Sequence, residues 1–169
     1  MNEKKFEIQP NKKFEIQPNK KFEIQPNKKF EVKYEYKTYS DSALLSEVEP
    51  IEEGMIDPVM SGRELETLVE YPLLEVAKDF ISKGIKTHSS SANKNDLISG
   101  KVYIILDFDS LNDNNKKIAE KYEIYEQQYF EKEKFVKISI PVNINTVVGD
   151  IRKDFSLIAS EFEDQSRIE

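Results

Sequence analysis

The sequence predicts an α+β fold, a two-layer sandwich in which helices cover a sheet. Segments with the two-residue period of strands alternate along the chain with segments that have the period of helices. The run Val102–Leu106 (VYIIL) is continuously apolar, which is typical of a strand covered on both faces. Pro72 and Gly84 lie where a helix between them would begin and end. Together these features favour one domain that mixes helices and strands.

A tandem octapeptide precedes this domain. The sequence KKFEIQPN occurs three times without change over residues 4–27, and a further copy begins at Lys28 and then diverges. Each copy alternates apolar and polar residues like a short strand and breaks at Pro-Asn. We therefore divide the chain into a repeat arm, residues 1–27, and one globular domain, residues 28–169. We expect an extended arm without a dedicated function; the alternative is that one copy adds to a sheet edge.

The predicted elements follow from these periods. The predicted strands are residues 30–39, 85–88, 102–106 and 136–142, and the predicted helices are residues 61–69, 72–83, 110 or 112 to 129, and 146–162. Apart from a short early helix and an extra C-terminal helix, the order is β-α-β-β-α-β, as in ferredoxin-like sandwiches. A mainly parallel three-layer α/β arrangement is the alternative.

The apolar stripes of the helices predict which residues enter the core. The inward positions are Leu73, Val76, Ala77, Phe80 and Ile81 in the second helix, Ile118, Tyr122, Tyr125 and Tyr129 in the third, and Val147, Ile151, Phe155, Ile158 and Phe162 in the last. The residues between them are mostly charged or polar, so the opposite faces should meet water.

Composition excludes several classes of site. The chain has no Cys, which excludes disulfides, thiolate metal sites and a Cys nucleophile. No apolar run approaches the roughly 20 residues that cross a bilayer, and we predict a cytoplasmic protein without a membrane partner. Residues 1–40 hold ten Lys and six Glu, whereas residues 41–169 hold 15 Lys/Arg and 26 Asp/Glu. Because phosphates bind basic surfaces, this acidic body argues against nucleic acid as a partner.

The segment after the second predicted helix is the first candidate site. It is rich in hydroxyl, amide and ammonium donors, which bind phosphates or carboxylates when a scaffold holds them. The candidate ligand-binding residues are Thr87, His88, Ser89, Ser90, Ser91, Asn93, Lys94 and Asp96. His88 is the one histidine and could act as a general base near neutral pH.

Asp107 and Asp109 form the second candidate site. They follow the buried run two residues apart, so on a strand they would point the same way and could share a Mg²⁺ ion. The string IILDFDSL resembles the first motif of haloacid-dehalogenase-like phosphohydrolases. That resemblance implies Asp107 as nucleophile, Asp109 as proton donor, and Asp150 and Asp154 as metal ligands. Leu111 and the short interval before Asp150 depart from the family, and the alternative is that Asp109 and Ser110 cap the next helix.

No complete catalytic set is present in the sequence. We therefore predict a binding or regulatory module without catalysis and without a cofactor. Its expected partner is a protein, or a second copy of the chain that pairs through a sheet edge. Two alternatives remain: a small Mg²⁺-dependent phosphohydrolase that uses Asp107 and Asp109, and self-assembly driven by the repeats.

Overall fold

The computed structural model describes residues 36–51, 68–128 and 130–167. The repeat arm, the predicted strand from Phe30 as far as Glu35, most of the helix predicted from Ser61, and Tyr129 lie outside the described residues. The predicted boundary after residue 27 therefore stays a prediction.

The described strands form one open antiparallel sheet. The strands are β1 (Thr87–Ser91), β2 (Lys101–Asp107), β3 (Glu123–Gln128) and β4 (Lys132–Pro141), and they lie in the order β1-β2-β4-β3. Every neighbouring pair is antiparallel. The predicted α+β class is confirmed. The mainly parallel alternative is wrong for these strands, and the ferredoxin-like order is not confirmed.

Four helices accompany the sheet in the described part of the chain. They are α1 (Tyr71–Ser82), α2 (Asp96–Ser99), α3 (Asp113–Ala119) and α4 (Val148–Ala159), with short 3₁₀ turns at Leu45–Glu47 and Phe108–Ser110. α1 begins where Pro72 needs no hydrogen-bond donor, and it ends before Gly84, whose φ of +81° suits a residue without a side chain.

The core lies between the two long helices and one face of the sheet. α1 and α4 pack against each other, and their buried side chains form one cluster with alternate residues of β2 and β4. The largest fully buried side chains in this cluster include Phe80 of α1 and Phe155 of α4. The predicted inward position of Ile81 is wrong, because its side chain is 47% exposed on the outer face of α1.

The third predicted helix is only half correct. α3 ends at Ala119, and Tyr125 lies in strand β3, where it pairs with Phe135 of β4. The spacing of the tyrosines matched a helical stripe, but pairing with β4 gives Ile124 and Tyr125 cross-strand neighbours instead.

Two further boundaries differ from the sequence prediction. The strand predicted to reach Tyr39 is absent from residues 36–40, because Tyr36 donates a 2.7 Å hydrogen bond to the Val69 carbonyl and the Tyr39 ring packs against Tyr71. The segment Ser89–Ser91, which was expected to begin a loop, belongs to β1 because it pairs with β2.

Candidate functional site

The predicted ligand loop follows β1 and leads into α2. Its central feature is Glu70, a buried carboxylate that precedes α1. Glu70 accepts hydrogen bonds from the Ala92 backbone at 2.8 Å, from the Asn93 side chain at 2.9 Å and from the Ile51 backbone at 3.1 Å. One buried anion therefore joins three separate stretches of chain.

Asp96, at the start of α2, holds the same loop through a second set of hydrogen bonds. Its carboxylate accepts hydrogen bonds of 2.8 Å from the Ser91 hydroxyl and from the Asn93 backbone. The Asn93 side-chain oxygen accepts a further bond from the Asn95 backbone at 2.8 Å. The donors that suggested anion binding at Ser91 and Asn93 are thus already engaged with carboxylates of the chain itself.

Tyr103 of β2 lies close to this loop. Burial, followed by the negative charges of Asp96 and Glu70, raises the pKa of Tyr103 above its ordinary value. Its phenol therefore stays protonated at physiological pH. The Nζ of Lys137 lies 4.5 Å from the centre of the same ring.

The remaining residues of the predicted site do not converge on one point. Lys94 lies at the surface, where its Nζ is 3.2 Å from the Glu49 carboxylate and its backbone N–H donates to the Val48 carbonyl. His88 is exposed at the irregularity where the register of β1 shifts, and its ring centroid lies 4.5 Å from that of Phe135. Thr87 and Ser90 are half-buried and Ser89 is exposed along the same strand.

The Asp107 carboxylate accepts a hydrogen bond of 3.0 Å from the backbone N–H of Asp109, and the Ser110 hydroxyl donates to the Asp107 carbonyl at 2.7 Å. The Asp107 side chain therefore caps the 3₁₀ turn after β2. The next helix, α3, is capped by Asn112 and not, as the alternative interpretation had expected, by Asp109 or Ser110. Asp150 and Asp154 are exposed on α4. In the part of the chain that the structure describes, no group of three or more His, Asp or Glu side chains could hold a metal ion.

A second buried polar cluster, around Asn115, is not predicted from the sequence. The side chain of Asn115 in α3 is fully buried; it donates to the Glu163 carbonyl at 3.0 Å and accepts from the Glu163 backbone at 2.8 Å. The Gln165 side chain accepts from Asn115 at 2.8 Å and donates to the Ser110 carbonyl at 2.7 Å. These bonds hold the C-terminal segment against α3. Nothing in the sequence distinguishes Asn115 from the other Asn residues near it.

A shallow groove of about 340 Å³ lies between α1 and α4. It is lined by Pro72, Glu75, Val76, Lys78, Asp79, Ser82, Arg152 and Ser156. The Arg152 guanidinium lies over the Tyr71 ring and pairs with Asp41 at 3.1 Å, while its buried Nε has no hydrogen-bond partner among the described residues. Two acidic and two basic side chains line the groove, so neither charge predominates there.

The outer edge of β3 is not predicted from the sequence, because the tyrosine spacing of this segment also fits a helix. β3 lies at the end of the described sheet and pairs with β4 without interruption from Glu123 to Gln128. β2 ends at Asp107, opposite Phe135, so the distal half of the β3–β4 hairpin extends past it. Phe130 at the hairpin tip is 99% exposed.

The two edges of the sheet differ in how they discourage pairing. β1 spans Thr87–Ser91 and carries a register irregularity at His88, and such irregularities protect an edge. β3 has the sequence EIYEQQ, which contains no Lys, Pro or Gly. Natural edge strands commonly use Lys or Pro to prevent further pairing. Among the described strands, β3 is therefore the edge strand without a register irregularity, Lys or Pro.

Comparison with known proteins does not identify a family or a function for this chain. No protein family, curated protein or solved structure matches this chain. Within the described residues, no helix has both the length and the apolar character needed to span a bilayer.

Proposed function

We propose that this chain is a binding module without catalysis, and that it captures an extended protein segment along the outer edge of β3. The observation that carries the proposal is the position of β3 at the edge of the described sheet, with regular pairing to β4 and with neither Lys nor Pro in its sequence. Addition of a strand provides affinity through backbone hydrogen bonds, and side-chain contacts then select the sequence.

The polar loop supports this choice over a small-molecule site. Its carboxylates, Glu70 and Asp96, already accept hydrogen bonds from the donors that would have held a phosphate. Those bonds stabilise the fold, and breaking them to admit a ligand would leave buried polar groups unpaired. Addition of a strand at the end of the described sheet, beside β3, leaves the hydrogen bonds of Glu70 and Asp96 in place.

The alternatives from the sequence stay predictions. A Mg²⁺-dependent phosphohydrolase would use Asp107 and Asp109, and repeat-driven assembly would use residues 1–27. Neither alternative is favoured by a contact among the described residues.

A peptide-display selection against the full chain at low concentration tests the proposal. We expect enriched peptides to be extended and to slow amide hydrogen exchange in β3, since an added strand accepts hydrogen bonds from outward N–H groups of β3. The variants Glu126→Pro and Gln127→Pro remove neighbouring N–H groups, one of which points outward, so one variant should fold yet lose capture.

The matched control uses the opposite edge of the sheet. Ser89→Pro and Ser90→Pro remove the corresponding N–H groups from β1. Whichever of the two folds should capture peptides as well as the unmodified chain. Peptides that protect β1 or the loop at Asn93 and leave β3 unchanged would overturn the proposal.

A further inference from the structure

We infer that the pocket which holds the C-terminal segment of this domain also accepts the octapeptide repeat of a second copy of the chain. This pocket is separate from the edge of β3, so the inference goes beyond the proposed function. Its basis is a match within the sequence. Residues 162–165, the C-terminal motif, read Phe-Glu-Asp-Gln, and each complete octapeptide contains an arm motif, Phe-Glu-Ile-Gln, at residues 6–9, 14–17 and 22–25.

The first position of the motif is a core residue. The Phe162 side chain is 2% exposed, and its ring meets the Phe80 ring of α1 edge to face, with the ring centroids 5.3 Å apart. The Phe162 carbonyl accepts a hydrogen bond of 3.0 Å from the Lys83 side chain. A space that fits an aromatic ring disfavours smaller side chains, because they leave a void. Each arm motif supplies phenylalanine at this position.

The second position is held by asparagines at the start of α3. The Glu163 carboxylate accepts hydrogen bonds from the side chains of Asn112 at 2.7 Å and Asn114 at 3.2 Å. The Glu163 backbone N–H donates to the Asn115 side chain at 2.8 Å, and the Glu163 carbonyl accepts from it at 3.0 Å. The backbone contacts fix an extended segment, and the carboxylate contacts favour Glu, which every arm motif carries.

The fourth position selects a primary amide. The Gln165 Oε1 accepts from the Asn112 backbone at 2.9 Å and from the Asn115 side chain at 2.8 Å. The Gln165 Nε2 donates to the carbonyls of Ser110 at 2.7 Å and Gly84 at 3.2 Å. A carboxylate would set an oxygen against these two carbonyls, so the pocket distinguishes Gln from Glu. Each arm motif has Gln at this position.

The positions that differ between the two motifs leave these bonds intact. Asp164, which is Ile in the repeats, accepts hydrogen bonds from the backbone and hydroxyl of Ser166, which is Pro in the repeats. Proline has no N–H and isoleucine has no side-chain acceptor, so both partners of this local contact are replaced together. The groups that bind Phe, Glu and Gln therefore keep all their partners when an arm motif takes the place of the C-terminal motif.

Exchange requires that the C-terminal motif leaves the pocket. Helix α4 ends at Ala159, so the motif lies outside the helix and can separate by local opening. An arm motif that enters then remakes the same bonds, as in domain swapping, where one chain supplies a segment to another. Each copy has three arm motifs but one C-terminal motif, so the arm motifs outnumber the pockets of this kind.

Charge and repetition favour a second copy as the source of the arm motif. Residues 1–40 hold ten Lys and six Glu, whereas residues 41–169 hold 15 Lys/Arg and 26 Asp/Glu. The basic arm of one copy is therefore attracted to the acidic body of another. Tandem motifs add avidity, because a neighbouring motif can bind before the two copies diffuse apart.

Sedimentation velocity of the full chain over a range of concentrations tests the inference. One variant replaces the three arm glutamines: Gln9→Glu, Gln17→Glu and Gln25→Glu. We expect its association to weaken about tenfold, because each carboxylate meets the two carbonyls of the pocket. The matched control adds the same three charges one position earlier and gives each arm motif the C-terminal sequence: Ile8→Asp, Ile16→Asp and Ile24→Asp. This control should associate as well as the unmodified chain.

A peptide titration locates the contact. The probes are the synthetic peptides KKFEIQPN and KKFEIEPN, added to the full chain that carries Gln165→Glu, which weakens the C-terminal motif. We expect KKFEIQPN to shift the NMR signals of the Asn115 side-chain amide and to bind about tenfold more tightly than to the unmodified chain. KKFEIEPN should leave those signals unchanged. Urea unfolding shows whether this variant is folded; the arm variants leave the domain unaltered and decide the question if it is not.

Several results would overturn the inference. Association that is unchanged by the three Gln→Glu substitutions would mean that the arm motifs do not join the copies, and equal losses in the Gln and Ile variants would assign the effect to charge. Shifts at Asn115 that are the same for both peptides, or absent, would mean that the pocket does not select Gln. If KKFEIQPN binds there while the full chain stays monomeric at every concentration, a second copy is the wrong source.

Discussion

The carboxylate of Glu70 accepts a hydrogen bond of 2.9 Å from the side-chain amide of Asn93, and both groups are buried. This contact joins the start of α1 to the loop after β1. It shows why a donor-rich loop need not be a ligand site, since its donors already serve an anion supplied by the fold.

Glu70→Gln should lower the free energy of unfolding by about 2 kcal/mol, because an amide N–H would replace an oxygen that accepts from backbone donors. Urea unfolding followed by circular dichroism measures the change. Glu75→Gln, on the exposed side of α1, makes the same chemical change and should stay within about 0.5 kcal/mol. Equal losses at both positions would mean that helix charge and not the buried contact is responsible.

Gly84→Ala should destabilise the domain more than Gly100→Ala. Both glycines have a positive φ, +81° and +79°, so the backbone strain of alanine is about 1–2 kcal/mol at each. A Cβ at Gly84 would also lie 2.8 Å from the Ser166 Cα, whereas at Gly100 the nearest atom is 4.0 Å away. The loss at Gly84 minus the loss at Gly100 therefore measures the cost of displacing the C-terminal segment. A zero difference would mean that this segment moves away from the new Cβ without cost.

Asn115→Ala should lower the free energy of unfolding by about 2–4 kcal/mol, because it removes the Asn115 side chain that now bonds the Glu163 backbone N–H and C=O. Thermal or urea unfolding gives the size of the loss. Asn114→Ala is the matched control, since Asn114 is exposed and donates only to the Glu163 carboxylate. Comparable losses for the two variants would contradict the role assigned to the buried amide.

The raised pKa of Tyr122 should make the free energy of unfolding fall at high pH. Burial, followed by the charge of Glu161 and a hydrogen bond to it, raises the pKa of Tyr122 to about 12. The phenol of the unfolded chain ionises near pH 10, so the unfolded state binds fewer protons between about pH 10 and pH 12 and stability falls across that window. Tyr122→Phe should reduce the fall, as measured by urea unfolding at several pH values.

Glu161→Gln provides an independent check on the cause. Removing the negative charge should lower the pKa of Tyr122 part of the way towards its ordinary value, because burial remains as the largest cause. The difference in phenolate absorbance between Glu161→Gln and the double variant with Tyr122→Phe isolates this one tyrosine. An unchanged titration would show that Glu161 has no influence on the phenol.

Asp107→Ala should lower the free energy of unfolding by about 1 kcal/mol, because it removes the cap on the 3₁₀ turn. Asp107→Asn should leave the free energy of unfolding nearly unchanged, because its side-chain oxygen can still accept from the Asp109 backbone. Unfolding measurements with and without Mg²⁺ check both statements. A Mg²⁺-dependent stabilisation that disappears in Asp107→Asn would instead favour the phosphohydrolase alternative.

The elements with strong local signals were predictable. α1 has a proline at its start, a glycine after its end and an apolar face; β2 has a continuous apolar run; and Asn112 caps α3 as a short polar residue should. Each of these signals depends on residues a few positions apart in the chain. The α+β class follows from them.

β3 and the polar clusters could not be predicted in the same way. Glu123–Gln128 becomes a strand because β4 lies beside it, although its tyrosine spacing also fits a helix. Glu70 meets Asn93, and Asn115 meets Glu163, across 23 and 48 positions of sequence. The sequence by itself determined the periodic elements, since backbone preferences act locally. Only the tertiary structure decided which donors were already engaged and which strands lie at the ends of the described sheet, because both depend on distant segments meeting in space.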